Sequence, residues 1–539
     1  MNSETKDIVN MGRTSAKGGL SLFVGLVLST VISTLGTIIV ARILTPSDYG
    51  LFAIAIVPPT LIGLFRHWGV NYALIKYLAQ RREKNQTGEL KSLIISGILL
   101  NSVLSLLLSV ITYFLAGFLA VNVFLRPQLK TLIQVASVMI LGTCLVDTSQ
   151  SIFTGFEKFN YRSFLLIFQS IIQTTLAPLL IFLGYGVFGV VLGVTFASVI
   201  ASVAGLVITY FKFYSGNEEK TSATFNISIG KTLKTILSYG YPLGLSHILL
   251  AFLPQFYLFL VAIYCSDVAV GNYQIAAKFI VLITFLTIPI EATLFPAFSK
   301  IGSKKAIEKL KVVFRSSAKY VALFTFPVVA SIVVLSEPII LLFFGEKYSL
   351  ASTFLSLLVI VNIIGGFGLS TLLPLLMGQG LTRKVLTLHL VELSFGIPLS
   401  LVLIPQFGVI GLIVTNLIAG MSGLLIGLFW VYKQYRFTID WVFSLKSCLV
   451  SALAAAIAYT SIVFLKSPSW IELAVGGLVF FVSYLILIPT LKVMNLSDVQ
   501  SLRQIFNNLG IITYFTNKLL NIVEKLLKFR LAKTLLGQH

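Results

Sequence analysis

The chain has 539 residues, 57% of them hydrophobic and 11% charged, with a mean hydropathy of +0.96. Soluble domains carry about 25% charged residues, so this composition excludes an ordinary globular enzyme and points to a membrane protein. The net charge of +21 would suit nucleic acid, but the basic residues lie in loops beside apolar stretches, where they set topology and meet anionic membrane lipids at the inner leaflet; no nucleic-acid partner is expected.

Met1–Gly19 is polar, and Arg13 and Lys17 hold it in the cytoplasm. The apolar run that follows is long enough to stay as a span rather than to be cleaved as a signal. From Leu20 onward, fourteen apolar stretches are predicted to cross the bilayer as helices, each close to the roughly 20 residues a crossing needs. Leu20–Ala41, Leu237–Tyr264 and Val409–Tyr432 are typical. Lys and Arg concentrate on alternate connections; only Arg42, Arg126, Lys130, Lys347 and Lys466 fall on the opposite set, and Arg66 and Lys278 fall inside spans. Basic short loops remain cytoplasmic, so the expectation is a multi-pass protein of the plasma (inner) membrane with both termini in the cytoplasm.

In chain order, 1–19 is the cytoplasmic N-terminus and 20–211 holds spans one to six. A basic cytoplasmic linker covers 212–236, spans seven to twelve occupy 237–432, and spans thirteen and fourteen occupy 449–491. Residues 492–539 form a cytoplasmic tail. There Leu519, Leu520, Val523, Leu526, Leu527 and Leu531 recur at helical spacing among Lys518, Lys525, Lys528 and Lys533. That pattern predicts an amphipathic basic helix on the inner leaflet, the alternative being a helix packed against the protein's own cytoplasmic loops.

The sequence also repeats itself at a separation near 221 residues. Gly50-Leu51-Phe52-Ala53-Ile54-Ala55 opens span two, and Gly271-Asn272-Tyr273-Gln274-Ile275-Ala276 opens span eight. Gly186-Val187-Phe188-Gly189 opens span six, and Gly408-Val409-Ile410-Gly411 opens span twelve. An even number of spans separates the copies, so the two halves face the same way. Parallel repeats of this kind pack about an axis along the membrane normal, with substrate near the midplane. The prediction is two parallel six-helix lobes working by alternating access, with two further helices.

Outer connections such as Gly184–Gly186, Cys265–Val270 and Pro405–Gly408 are too short to shape the site of a membrane-embedded polysaccharide polymerase or ligase. Gly230-Lys231-Thr232 ends like a phosphate loop, but Phe225 stands where the first glycine belongs, so the phosphate cradle is not specified. Cys144, Cys265 and Cys448 match no metal or redox spacing. The chain is read as a transporter, not an enzyme, with no cofactor.

An ionisable group in the middle of a span costs about 2.5–3.5 kcal/mol on insertion scales, and those that persist face a cavity or a partner. Arg66, followed by His67, lies within span two; Lys278 lies within span eight; His247 lies near the middle of span seven. Positive charge from both lobes suits an anionic substrate. A diphosphate fits well, because guanidinium and ammonium groups make charge-assisted bonds to phosphate oxygens. Arg66, Lys278, His67 and His247 are therefore the candidate substrate-binding residues, the alternative being that Arg66 and Lys278 snorkel or pair internally. Asp147, Glu291 and Glu392 are candidates for ion pairs, with Lys278 or a histidine, or for proton or sodium coupling. Aromatic residues such as Trp68, Tyr72, Tyr257 and Tyr273 read as interfacial anchors, and the sequence singles out none of them as a sugar contact.

The segment Ala41-Arg42-Ile43-Leu44-Thr45-Pro46-Ser47-Asp48-Tyr49-Gly50 resembles the opening signature of polysaccharide flippases. So do Tyr239-Gly240-Tyr241-Pro242, Leu294-Phe295-Pro296, Phe344-Gly345-Glu346-Lys347-Tyr348 and Ile404-Pro405-Gln406-Phe407-Gly408. From about residue 10 to residue 490 the chain resembles the Wzx-like polysaccharide transporters of the multidrug/oligosaccharidyl-lipid/polysaccharide exporter superfamily. The resemblance implies a V-shaped bundle of two six-helix lobes plus two C-terminal helices, and a cationic central cavity that Arg66 and Lys278 match by location. It also implies transfer of a polyprenyl-diphosphate-linked oligosaccharide from the inner to the outer leaflet, for cell-surface polysaccharide or glycan assembly. A drug or cation antiporter of the same fold would want carboxylates in the first lobe, and span one has none. A major-facilitator carrier would show a Gly-x-x-x-Asp-Arg-like motif between spans two and three, where this chain has Gln80-Arg81-Arg82-Glu83-Lys84-Asn85.

Overall fold

The computed structural model describes residues 3–66, 68–83, 87–214, 229–301, 307–465, 467–506 and 511–536. Among them there is no strand. In hydrocarbon every backbone amide must find its partner internally, and a helix does this within one segment. Eleven helices among the described residues are long and apolar enough to cross a membrane, and the protein is an all-α, multi-pass membrane protein. Two of the eleven, Phe159–Tyr214 and Thr382–Tyr435, run for 56 and 54 residues. The first is interrupted at Gly184 (φ 92°) and Gly186 (φ 50°), the second at Gly408 (φ 58°). Only glycine takes such backbone without strain, and these are the points where the sequence places outer turns. The stretch assigned to span eight falls on two shorter helices.

Contacts divide the chain into two compact units. The first comprises Met1–Gln274 and Ser400–Val409. Its helices are α1 (Ser3–Ile43), α2 (Pro46–Gly63), α3 (Val70–Glu83), α4 (Thr87–Phe118), α5 (Leu129–Gly155), α6 (Phe159–Leu180), α7 (Gly186–Thr209), α8 (Ile229–Tyr264) and the start of α9 (Asp267–Lys278). Helix α5 packs against α2, α3, α4 and α7 and buries Leu132, Ile133, Ala136 and Ile140. Helix α1 lies along α6 on a seam of small and hydroxyl residues. Ser33 donates to Ser170 at 3.1 Å and Thr174 to the Ile32 carbonyl at 3.0 Å. A Cβ on Gly25 would come within 2.6 Å of Ser163. Helices in lipid lack the water-driven attraction of a soluble core, and such small-residue seams let them approach closely.

The second unit comprises Ile275–Leu399 and Ile410–His539. It holds the end of α9, then α10 (Ile280–Ser299), α11 (Ile307–Phe344), α12 (Ser349–Val361), α13 (Ser370–Gly378), α14 (Thr382–Tyr435, apart from Ser400–Val409), α15 (Trp441–Leu465), α16 (Ser469–Thr490), α17 (Leu496–Phe506) and α18 (Ile511–Leu536). One core gathers Phe298, Phe314, Leu375, Leu388 and Phe437. A second gathers Phe326, Val450, Ala454, Phe480 and Tyr484, and the tail enters it through Val499, Leu502, Leu520, Val523 and Leu527. Lys319 on α11 pairs with Asp498 at 2.7 Å, and Arg503 on α17 pairs with Glu524 on α18 at 2.8 Å. Three apolar residues of the tail stripe thus pack against the protein itself, leaving Lys518, Lys525 and Lys528 exposed. A leaflet and a protein core both demand one apolar helix face, so helical spacing cannot tell them apart.

Candidate functional site

Helix α2 starts cleanly. Thr45 caps it, its hydroxyl accepting from the Asp48 amide at 3.1 Å, with Pro46 in the first turn. Proline lacks the amide that an interior turn needs, and Pro58 and Pro59 lie near the far end of α2. The helix tightens into a 3₁₀ turn at Leu64–Arg66, and Gly69, at φ 78°, precedes α3. Arg66 therefore sits at a break in span two. Its guanidinium donates to Asp147 on α5 at 2.7 Å, with only 14% of the arginine side chain exposed. Its Nε is buried with no hydrogen-bond partner among the described residues.

Beside the pair, Asn101 on α4 donates to Asn71 at 2.9 Å and to Thr148 at 2.7 Å. A small cavity of about 20 Å³ is lined by Arg66, Gly69, Asn71, Tyr72, Asn101 and Cys144. It offers a cation with an unpaired N–H, a side-chain amide and an aromatic ring. Such a combination can orient an anionic, hydroxyl-rich group.

Span eight breaks too. Helix α9 ends at Lys278 and α10 begins at Ile280. Lys278 is exposed and has no ion pair among the described residues. Both intramembrane cations of the sequence analysis thus stand at interruptions of the duplicated second helix. His67 lies outside the described residues. His247 approaches Tyr72, ring centres 6.5 Å apart. Glu291 lies in hydrogen-bond reach of the Ser370 hydroxyl. Glu392 pairs with His389 at 3.3 Å, one turn away on α14, and its Oε1 lies 2.8 Å from where a Cβ on Gly423 would stand. The carboxylates Asp147 and Glu392 thus take Arg66 and His389 as partners, not Lys278.

Two glycine crossings flank this region. Where α2 meets α9, a Cβ on Gly50 would lie 2.6 Å from the Asp267 carbonyl carbon, and one on Gly271 would lie 3.0 Å from the Gly50 nitrogen. These are the two glycines related by the sequence repeat. Beside them Arg126 bonds Asp267 at 2.5 Å and donates to the carbonyls of Ala262 and Cys265 at 2.8 and 2.7 Å, closing the end of α8. Where α3 meets α8, a Cβ on Gly240 would lie 2.7 Å from the Gly69 carbonyl carbon. Sequence reasoning missed Arg126, counting it only as a topology exception. The available signal was an arginine in a short outer loop, a place where the charge pattern leaves it unexplained.

A sequence model of the family described as "Polysaccharide biosynthesis protein" matches residues 15–302. An uncharacterized membrane protein of Methanocaldococcus jannaschii is 22% identical over 508 residues, 88% of this chain and 95% of that one. Among solved structures, the lipid II flippase MurJ in an inward closed conformation superposes with a TM-score of 0.64 at 20% identity, covering 88% of this chain and 99% of its own. A multidrug resistance MATE family transporter of the MOP superfamily, in an inward-facing conformation, gives 0.59 at 18% identity, covering 77% and 98%. The fold is shared with both.

Proposed function

We propose, from the premise that this chain belongs to the polysaccharide biosynthesis protein family, that it is a flippase. It moves a polyprenyl-diphosphate-linked oligosaccharide from the inner to the outer leaflet for cell-surface glycan assembly. The observation that carries this reading is the Arg66 pocket: a buried guanidinium with an open N–H, set at a helix break among side-chain amides. The fold shared with a lipid II flippase supports the substrate class. A cation antiporter would need an available carboxylate here, whereas Asp147 is held by Arg66.

In the mechanism we infer, Arg66 and Lys278 meet the diphosphate while the polyprenyl tail stays in lipid. The lobes at 20–211 and 237–432 alternate access, and the crossings at Gly50/Gly271 and Gly69/Gly240 separate and re-form as each end opens in turn. His389 and Glu392 are the pair we assign to proton or sodium coupling. The protein sits in the plasma membrane with cytoplasmic termini, and Lys518, Lys525 and Lys528 touch anionic lipid headgroups.

The test is transfer of a fluorescent polyprenyl-diphosphate oligosaccharide between the leaflets of liposomes. A charge-assisted hydrogen bond contributes about 1.5–3 kcal/mol, so Arg66→Ala alone is expected to lower substrate affinity by about 10- to 150-fold, and Arg66→Ala/Lys278→Ala to lower it further and stop transfer. Asp147→Asn, which frees Arg66 from its competitor, is expected to tighten diphosphate binding. Parental transfer by a folded double variant would remove the site; no transfer by the parent, with several glycans and with proton and sodium gradients, would remove the flippase.

A further inference from the structure

We propose that Trp68 and Tyr72 form the surface on which a sugar ring of the lipid-linked substrate stacks while its diphosphate meets Arg66; this rests on the flippase reading above. Trp68 lies in the bend before α3 and Tyr72 in the first turn of that helix, and the two are 37% and 45% exposed. Exposure alone is ordinary for an aromatic in lipid, and Phe114 and Phe182 are more exposed still. What distinguishes Tyr72 is that it lines the polar cavity with Arg66, Asn71 and Asn101, where a lipid-facing ring would have no place.

Both rings are also held from one side. Trp68 stacks on Tyr241 with centres 5.9 Å apart and planes 21° from parallel, and Tyr72 leans on His247. The Gly69/Gly240 approach places these supports, since Trp68 and Tyr241 are the next residues along each chain. One face of the Trp68 ring is thus occupied by Tyr241, and the Tyr72 ring is braced at an angle by His247. An aromatic face is electron-rich and complements the slightly positive C–H face of a pyranose, while a sugar hydroxyl meets the side-chain amide of Asn71, which Asn101 holds in place. A turn further on, Lys76 already places its ammonium 3.7 Å over the Tyr239 ring, the same preference satisfied within the protein.

The experiment uses full-length protein in which Trp430, Trp441 and Trp470 are changed to Phe, so that Trp68 alone emits. The probes are a short isoprenyl diphosphate and the same compound bearing one hexose. The expected result is a Trp68 emission change with the hexose compound only, and about 2- to 12-fold tighter binding of that compound. Tyr72→Phe keeps this preference, because stacking needs the ring and not the hydroxyl, and Tyr72→Leu abolishes it. Equal binding of both probes with no Trp68 response, or a preference that survives Tyr72→Leu, overturns the stacking surface while leaving the flippase intact if the parent still transfers lipid-linked oligosaccharide. Failure of that transfer overturns both.

Discussion

Gly271→Ala is expected to force α2 and α9 apart at their crossing. The added methyl carbon would lie 3.0 Å from the Gly50 nitrogen and closer still to the Pro46 carbonyl, where ordinary contacts are 3.4–4 Å. Backbone cannot rotate away as a side chain does, so the helices must separate or bend. Overpacking of this kind costs about 1–3 kcal/mol, which changes the ratio of closed to open forms at this end by about 5- to 150-fold. Alanine's better helix propensity, about 1 kcal/mol over glycine, acts on both forms alike and cancels. Cys265, at the end of α8, is the natural reporter. It is 7% exposed, and burial pushes its thiol up to about 11, so the closed form is both shielded and short of thiolate. With Cys144→Ala and Cys448→Ala removing the other thiols, a membrane-impermeant maleimide added on the side remote from the basic loops should label Cys265 faster by about 5- to 150-fold in Gly271→Ala. An unchanged labelling rate in a folded variant would refute the idea that this crossing seals that end.

Arg126→Ala should act at the same place by another route, leaving Asp267 and the Ala262 and Cys265 carbonyls without their donor. Breaking a buried pair costs about 3–5 kcal/mol, read as a lower melting temperature in detergent. Arg126→Lys should not restore it, because an ammonium lacks the planar fork that serves several acceptors at once. In the tail, hydrogen bonds from Lys528 and Arg503 hold the Glu524 carboxyl below its usual range. A depressed carboxylate contributes stability that is present above its unfolded value, about 4.3, and is lost as pH falls through the folded value. Hydrogen exchange across α17 and α18 should therefore quicken on acidification below about pH 4.3, and Glu524→Gln should remove that pH dependence.

Hydropathy and the spacing of lysines and arginines made the helical membrane fold legible, because crossing a bilayer constrains length and composition directly. The repeat pointed to Gly50 and Gly271 as counterparts. That the two touch each other was not legible, since a repeat says which residues are alike and not which are adjacent. Arg66 and Asp147 were both visible as costly charges, yet their partnership spans 81 residues and depends on α2 lying against α5. His389 was within reach of reasoning: an imidazole three residues before an intramembrane Glu392 lies on the same helix face. The Trp68–Tyr241 stack was not, because aromatic residues are abundant in every span and only three-dimensional placement separates anchors from a shared surface.

The way the tail completes the second core has a consequence for how the protein is made. Apart from Ser400–Val409, the first unit has emerged from the ribosome once Gln274 is added. The second cannot seat Val499, Leu520, Val523 and Leu527 until those residues have been added, roughly tens of seconds later at ordinary elongation rates. Once made, Val450, Phe480 and Tyr484 lack part of their final packing until the tail arrives, and Lys319 waits for Asp498. A stop codon just before α17 would therefore do more than remove an appendage: it would leave an otherwise inserted protein with an unfinished core, the kind of product that membrane quality control recognises and degrades.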